Sequence, residues 1–176
     1  DELDLYFGTF AKAFAAIGGV TAGNEEVGEY VRFNARPYVF AKALPMVYVD
    51  ALDATLDEVV GRPELRERMW ANARKLQAGI QELGFSIGDT QSPVTPVYVP
   101  GDAFVGTEIM RRLRHDHGVF LSGVTYPVVP RGIHLFRMIP TAAHTDDDIE
   151  QTLAAFADVR DRLQLDLNRT PQIATA

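Results

Sequence analysis

Residues 4–14 read DLYFGTFAKAF, and a pair of glycines follows a few positions later. The apolar run at residues 5–7 stops at Gly8, which predicts a short buried strand that leads into a turn. Residues 18–23 predict a second short strand, because glycines bracket it on both sides. Two short strands do not form a stable sheet alone. We therefore expect further strands beside them, either from upstream in the chain or from another chain.

Lys12 stands among alanines and the two phenylalanines Phe10 and Phe14. A lysine amine attacks a carbonyl carbon only in its neutral form, which requires desolvation or nearby cations. Thr9 has a hydroxyl that can donate to a phosphate oxygen, and Gly8 allows close approach of the backbone. From the chemistry of this segment alone, two interpretations of Lys12 stay open. Lys12 is either a Schiff-base lysine in a mostly dry pocket or a surface lysine whose stem packs on small residues.

The remainder of the chain predicts alternating helices and short strands. Asn24 caps a first helix that Pro37 ends, and residues 38–40 continue as extended chain. The patterns predict helices at residues 47–60, 64–83, 103–117 and 146–165, and strands at residues 94–99, 119–121 and 133–139. Chain breakers place a domain boundary near Gly61, and the polar residues 168–176 predict a disordered tail.

The composition is that of a folded globular protein, with 47% hydrophobic and 23% charged residues. The net charge of −7 argues against nucleic acid or an anionic membrane as the main partner, because both need a basic face. No apolar run approaches the roughly 20 residues of a membrane span, so we expect no stable membrane insertion. The absence of cysteine excludes disulfides and fits a cytoplasmic protein. None of the four histidines has a partner at metal-ligand spacing, so no metal is predicted.

Four blocks, in the same order along the chain, resemble the α-oxoamine synthase family of pyridoxal-phosphate (PLP) enzymes. The first block is the lysine segment at residues 4–14, and the second is RFNARPYVFAKALP at residues 32–45. The third is GVFL at residues 118–121 with the prolines and glycine that follow it, and the fourth is FRMIPTAAHT at residues 136–145. Any one block is modest support, but four in register identify the chain as a member of this family.

The resemblance implies a role for four residues. Lys12 bonds covalently to the cofactor and then acts as base and acid at the substrate α-carbon, while Thr9 binds the cofactor phosphate. Arg137 binds the α-carboxylate of the amino-acid substrate, for which a planar guanidinium is suited. Lys42 stands where the family has hydroxyl residues that reach the phosphate in a partner subunit. It is either a replacement for that contact or an exposed lysine. His144, just before the predicted helix cap Thr145, is interpreted as structural.

The resemblance also implies the fold class, α/β of fold type I. Residues 1–60 are then the carboxy-terminal part of the PLP-binding large domain, and residues 61–167 are the small α/β carboxy-terminal domain. In the family, the aspartate that pairs with the pyridine nitrogen and the histidine that stacks on the ring lie upstream of the lysine. No segment here supplies them, so we expect this chain alone to be incompetent as an enzyme.

The function implied is condensation of serine, glycine or alanine with an acyl-CoA to give an α-oxoamine. The residues around Lys12, including Phe10 and Phe14, resemble those of a serine palmitoyltransferase-like enzyme. A homodimer with its active site at the interface is the assembly that the family implies. Two alternatives stay open, namely another fold-type-I PLP enzyme such as an aminotransferase or lyase, and a non-catalytic partner subunit of a synthase.

Overall fold

A computed structural model of the chain describes residues 3–171, which divide into two compact units between Pro63 and Glu64. The division lies close to the boundary that the breakers around Gly61 predict. Each unit has its own sheet, two-stranded in the first unit and three-stranded in the second. The assignment of the units to the large and small domains of a PLP enzyme stays a prediction.

The first unit is an antiparallel hairpin followed by three helices. Strands β1 (Leu5–Thr9) and β2 (Gly19–Gly23) pair with Phe7 opposite Thr21. Helices α1 (Glu25–Asn34), α2 (Arg36–Phe40) and α3 (Met46–Gly61) follow. The Asn24 side chain accepts a hydrogen bond from the backbone N–H of Val27 at 2.9 Å, which is the predicted helix cap.

Two predictions for the first unit are wrong. Residues 38–40 are helical rather than extended, because Pro37 lies in the first turn of α2, where a proline starts a helix instead of ending one. The strand at residues 5–7 is exposed rather than buried, and Phe7 keeps 72% of its surface accessible. None of residues 3–63 is buried, so the rest of this unit covers the apolar side chains of the hairpin only in part.

The second unit is an antiparallel sheet with helices packed against it. Its elements are α4 (Pro63–Glu82), β3 (Thr95–Tyr98), α5 (Ala103–His117), β4 (Ser122–Val124), β5 (Leu135–Met138) and α6 (Asp146–Leu163). Strand β5 is central, with β3 on one side and β4 on the other. Gly118 ends α5 in the left-handed conformation, with φ of 70°, as the sequence predicts.

The core of the second unit is continuous and apolar. Phe156 from α6 meets Phe85 edge-on at 5.4 Å and Phe136 at 6.4 Å between ring centroids. Ile80 and Leu113 are fully buried in the same cluster. Burial of each such side chain contributes about 1.5–3 kcal/mol. This core fixes strand β5, and therefore the backbone that carries Arg137.

Two further predictions need correction in the second unit. Residues 119–121 are not a strand, since the strand β4 begins only at Ser122. Phe120 in that segment is 77% exposed and lies beside the Arg114 guanidinium, which is 5.1 Å from its ring centroid. The first two residues of the predicted disordered tail, Asn168 and Arg169, belong to one turn of 3-10 helix, Leu167–Arg169. Residues 172–176 of that segment lie outside the described residues.

Candidate functional site

Lys12 lies in the loop that joins β1 to β2, and backbone hydrogen bonds define its shape. The N–H of Phe10 donates to the carbonyl of Gly18, and the N–H of Ala16 donates to the carbonyl of Phe10, both at 3.0 Å. Within this closed loop, the N–H of Ala15 donates to the carbonyl of Lys12 at 3.0 Å, and Ala15 adopts a positive φ of 50°. The lysine backbone is thus held by a tight turn.

The Lys12 side chain is exposed, and residues 3–171 offer its amine no hydrogen bond or ion pair. The flanking residues do not form the dry pocket expected from the sequence. Phe10 and Phe14 meet edge-on at 5.5 Å between ring centroids and line an open cavity of about 680 Å³ with Tyr6 and Leu56. Lys12 does not line that cavity. None of residues 3–63 is buried, so this unit does not give the loop the cover that a dry pocket needs.

The Thr9 hydroxyl helps to close the same loop. Its oxygen accepts a hydrogen bond from the N–H of Ala11 at 3.3 Å and lies 3.5 Å from the carbonyl of Gly18. The second contact is at the limit of hydrogen-bond length. The hydroxyl proton is therefore weakly held, and it can turn to another acceptor such as a phosphate oxygen.

Lys42 follows helix α2 and is the second exposed lysine of the first unit. Its backbone has a positive φ of 68°, which is uncommon for a residue other than glycine. Among residues 3–171, its ammonium group has no ion pair or hydrogen bond. The structure therefore shows an available cation but no contact that tests the predicted role in phosphate binding.

Arg137 lies in the middle of β5, opposite Pro96 of β3 and Ser122 of β4. Its neighbours Phe136 and Met138 point into the core, and strand alternation turns Arg137 to the exposed face. The guanidinium has no ion pair or hydrogen bond within the described part of the chain. It lines a cavity of about 220 Å³ together with Ser122, Ile139 and His144.

His144 is held in the turn before α6, as its structural interpretation requires. Its Nδ1 accepts a hydrogen bond from the backbone N–H of Thr141 at 2.9 Å and lies 3.1 Å from the Thr141 hydroxyl. Asn72 on α4 donates to the carbonyls of both Thr141 and His144 at 2.9 Å. The sequence reasoning missed Asn72. The only feature of the sequence that could have indicated Asn72 is its position as a polar residue beside the buried face of the predicted helix at residues 64–83.

Two other histidines, His117 and His134, each make one side-chain polar contact. His117 Nε2 lies 2.9 Å from an Asp158 carboxylate oxygen, and His134 Nδ1 lies 3.0 Å from the Thr125 hydroxyl. Residues 3–171 contain no group of three or more histidine, aspartate or glutamate side chains that could hold a metal ion. In the same residues, no helix is long and apolar enough to cross a membrane.

The chain thus places Thr9, Lys12 and Lys42 in its first unit and Arg137 in its second. The first set matches the chemistry of PLP, since an aldehyde needs a primary amine without a partner and a phosphate needs hydroxyl or cationic donors. An unpaired guanidinium on a rigid strand matches a carboxylate.

Comparison with known proteins shows the family. The sequence profile of class I and II aminotransferases matches residues 1–156, so the chain belongs to this family. The cysteate-C-fatty acyltransferase of Capnocytophaga ochracea is 44% identical over 96% of this chain and 40% of its own length. The 8-amino-7-oxononanoate synthase of Exiguobacterium sibiricum is 38% identical over 92% of this chain and 41% of its own length.

A solved structure agrees with these relatives. The serine palmitoyltransferase of S. paucimobilis, with a bound PLP–myriocin adduct, has a TM-score of 0.83 and 28% identity over 92% of this chain and 41% of that one. Within the aminotransferase family these relatives are α-oxoamine synthases, and the chain has the fold-type-I architecture and the PLP-dependent family that the sequence predicts. The chain spans about two fifths of the length of these relatives.

Proposed function

We propose that the intact protein to which this chain belongs is a PLP-dependent acyltransferase that condenses an amino acid with an acyl-CoA. One observation carries the proposal. The family match covers residues 1–156, and this range contains both Lys12 and Arg137, whose charged groups have no partner among residues 3–171. Residues 3–63 are proposed as part of the PLP-binding large domain and residues 64–167 as the small domain.

In this proposal, Lys12 holds the cofactor through its amine, and the Thr9 hydroxyl binds the phosphate. When bound, the cofactor withdraws electrons from the substrate α-carbon and so stabilises negative charge there. The exposed amine of Lys12 must lose water to act as a base, so we infer that chain beyond the described residues covers the loop. Lys12 would then remove the α-proton of the substrate and later return a proton to the same carbon.

Arg137 is proposed to hold the substrate carboxylate. Its guanidinium can donate two parallel N–H···O bonds, which fix the direction of the carboxylate as well as its position. The strand that carries Arg137 is anchored by buried residues on both sides, so the guanidinium starts from a defined position.

The proposed reaction balances without a redox partner. A new carbon–carbon bond forms between the substrate α-carbon and the acyl carbonyl carbon, while the thioester carbon–sulfur bond breaks and releases coenzyme A. The carboxylate leaves as carbon dioxide, and the proton from Lys12 takes its place on the α-carbon. The product is an α-oxoamine.

The proposal also includes the identity of the amino-acid substrate. The sequence favours serine, yet the Capnocytophaga ochracea relative with 44% identity is named as an enzyme of cysteate, whereas the serine palmitoyltransferase structure shares 28% identity. We therefore propose L-cysteate as the first candidate, with L-serine as the second and glycine or L-alanine after them. A non-catalytic subunit would not need an unpaired lysine and arginine, which speaks against that alternative.

The proposed assembly is a homodimer in which Lys42 reaches the cofactor phosphate of the partner. The support is the exposed, unpaired ammonium group of Lys42 next to the exposed apolar side chains of Tyr38, Val39 and Phe40. A cytoplasmic location stays a prediction from composition.

A product assay tests this function. The intact PLP-loaded protein is incubated with palmitoyl-CoA and one of four amino acids, L-cysteate, L-serine, glycine or L-alanine, and free coenzyme A thiol and the condensed product are measured. We expect product with at least one amino acid and none in the Lys12→Ala variant. The Lys75→Ala variant is the matched control, since Lys75 is engaged by Asp146 and Glu150 in the second unit. Product formation that survives Lys12→Ala, or transfer of the amino group without acyl-CoA, would contradict the proposal.

A further inference from the structure

The cavity that Arg137 lines has a second polar residue, His144, whose hydrogen bonds indicate which ring nitrogen accepts. His144 lines this cavity of about 220 Å³, and the ring is only partly buried. Its Nδ1 faces Thr141, where the backbone N–H is 2.9 Å away. A backbone N–H can only donate, so Nδ1 must carry the lone pair and accept. A neutral ring then carries its proton on Nε2.

The position of the ring is fixed by contacts on both sides of the turn. The Thr141 hydroxyl lies 3.1 Å from Nδ1, and Asn72 donates to the carbonyl of His144 at 2.9 Å. Asn72 is buried, so this contact ties the turn to helix α4. With Nδ1 engaged by its own turn, Nε2 is the ring nitrogen that remains available to a ligand in the cavity. Within residues 3–171, it has no hydrogen-bond partner.

We infer that His144 offers its Nε2–H as a second, uncharged donor to the anionic group that Arg137 binds. The inference rests on the proposed function, because it takes the carboxylate of an amino acid as that group. A carboxylate has two oxygens with about four acceptor sites, so a guanidinium leaves room for one more donor. An uncharged donor adds selectivity for the orientation of the carboxylate without adding a second charge to the cavity.

Two substitutions separate the structural role of His144 from this donor role. Asparagine places its amide oxygen near the position of Nδ1, so His144→Asn keeps an acceptor for the Thr141 N–H but removes the donor to the cavity. Glutamine places its amide nitrogen near the position of Nε2, so His144→Gln keeps a donor to the cavity. His115→Asn is the matched control, because His115 is exposed on α5.

The experiment measures the affinity of the intact PLP-loaded protein for L-cysteate, L-serine, glycine and L-alanine by calorimetry. For the tightest of these it also measures the amine without the carboxylate, which is taurine, ethanolamine, methylamine or ethylamine respectively. We expect His144→Asn to bind the amino acid roughly 10-fold more weakly, as loss of a hydrogen bond to a charged group requires. It should bind the amine as the unmodified protein does. His144→Gln should recover part of the affinity, and His115→Asn should change nothing.

A second readout needs no substrate and no activity. Long-range proton–nitrogen NMR on histidine-labelled protein near neutral pH should show His144 with a proton on Nε2 and none on Nδ1. A proton on Nδ1 alone would overturn the inference. Unchanged amino-acid affinity in His144→Asn would overturn it as well, while leaving the proposed function intact. Absence of binding of any of the four amino acids by the unmodified protein would instead overturn the proposed function, and the inference with it.

Discussion

The three charged residues with a proposed role in chemistry share one property at the residue scale. Lys12, Lys42 and Arg137 are exposed cations, and residues 3–171 provide none of them with an ion pair. The third lysine of the chain differs, because Lys75 lies 2.9 Å from both Asp146 and Glu150. These two carboxylates raise the pKa of Lys75 above its ordinary value, Glu150 having the larger effect. An unpaired cationic side chain is available to a phosphate, an aldehyde or a carboxylate. The Lys75 ammonium group, in contrast, is already paired within the second unit.

A first prediction concerns Lys42. If its ammonium group contacts the cofactor phosphate, Lys42→Ala should weaken PLP binding several-fold, since it removes a charge-assisted hydrogen bond whose strength solvent reduces at an exposed lysine. PLP affinity of the apo-protein is measured by fluorescence titration, with Lys75→Ala as the control. Unchanged affinity in Lys42→Ala would make Lys42 an ordinary surface lysine.

At the scale of elements, helices α4 and α6 approach closely at Gly79. A methyl group added at Gly79 would overlap a terminal carbon of Leu153, so the leucine would have to move. We predict that Gly79→Ala lowers the free energy of unfolding. The overpacking cost of roughly 1–3 kcal/mol outweighs the helix-propensity gain of about 1 kcal/mol.

Gly106 on α5 is the matched control for that substitution. The nearest atom to an added methyl group there is 4.0 Å away, which is ordinary contact. Gly106→Ala should therefore leave stability unchanged or raise it. Denaturant unfolding followed by the fluorescence of Trp70, the only tryptophan, measures both variants. Equal effects of the two substitutions would show that the α4–α6 packing is not tight at Gly79.

Helix α5 also makes a pH-dependent contribution to the free energy of unfolding. Hydrogen bonds from Arg111 and Arg112 hold the pKa of Glu108 at about 2, below its ordinary value of 4.5. Because the folded-state pKa is the lower one, the contribution is fully present above pH 4.5 and is lost as the pH falls towards 2. The side chains are exposed, so salt should weaken the effect.

This predicts that Glu108→Gln reduces the change in stability between pH 4.5 and pH 2 relative to the unmodified protein. The difference between the variant and the unmodified protein in this pH-dependent change should become smaller at higher salt concentration. Unfolding is again followed through Trp70 in low and high salt. A variant with the same pH dependence as the unmodified protein would show that the arginine contacts do not form in solution.

Local signals made most elements predictable from the sequence. Thr145 and Asp148 form the reciprocal cap that begins α6, and hydrogen bonds from Thr145 lower the pKa of Asp148. The failures also have physical reasons. An apolar run cannot distinguish a strand from a loop, and Phe120 instead lies against Arg114. The cavity at Arg137 was not predictable either, because α4, the segment before β4 and the turn at His144 all contribute to it.

At the scale of the whole molecule, the two units differ in how they bury apolar surface. The second unit has a core of fully buried side chains, while residues 3–63 bury none. Large side chains such as Phe7, Phe33 and Phe40 are more than 70% exposed. The relatives are more than twice as long as this chain. The proposed role of Lys12 therefore requires a covering layer over the loop of the first unit, whose residues are not buried.

The central claim is that Lys12 carries the cofactor, and one measurement tests it directly. The intact PLP-loaded protein is reduced with borohydride, digested, and the peptides are sequenced by mass spectrometry. Of the three lysines in this chain, the account predicts a pyridoxyl group on Lys12 and none on Lys42 or Lys75. A pyridoxyl group on Lys42 or Lys75 with Lys12 unmodified, or a chain with no pyridoxyl group at all, would contradict it.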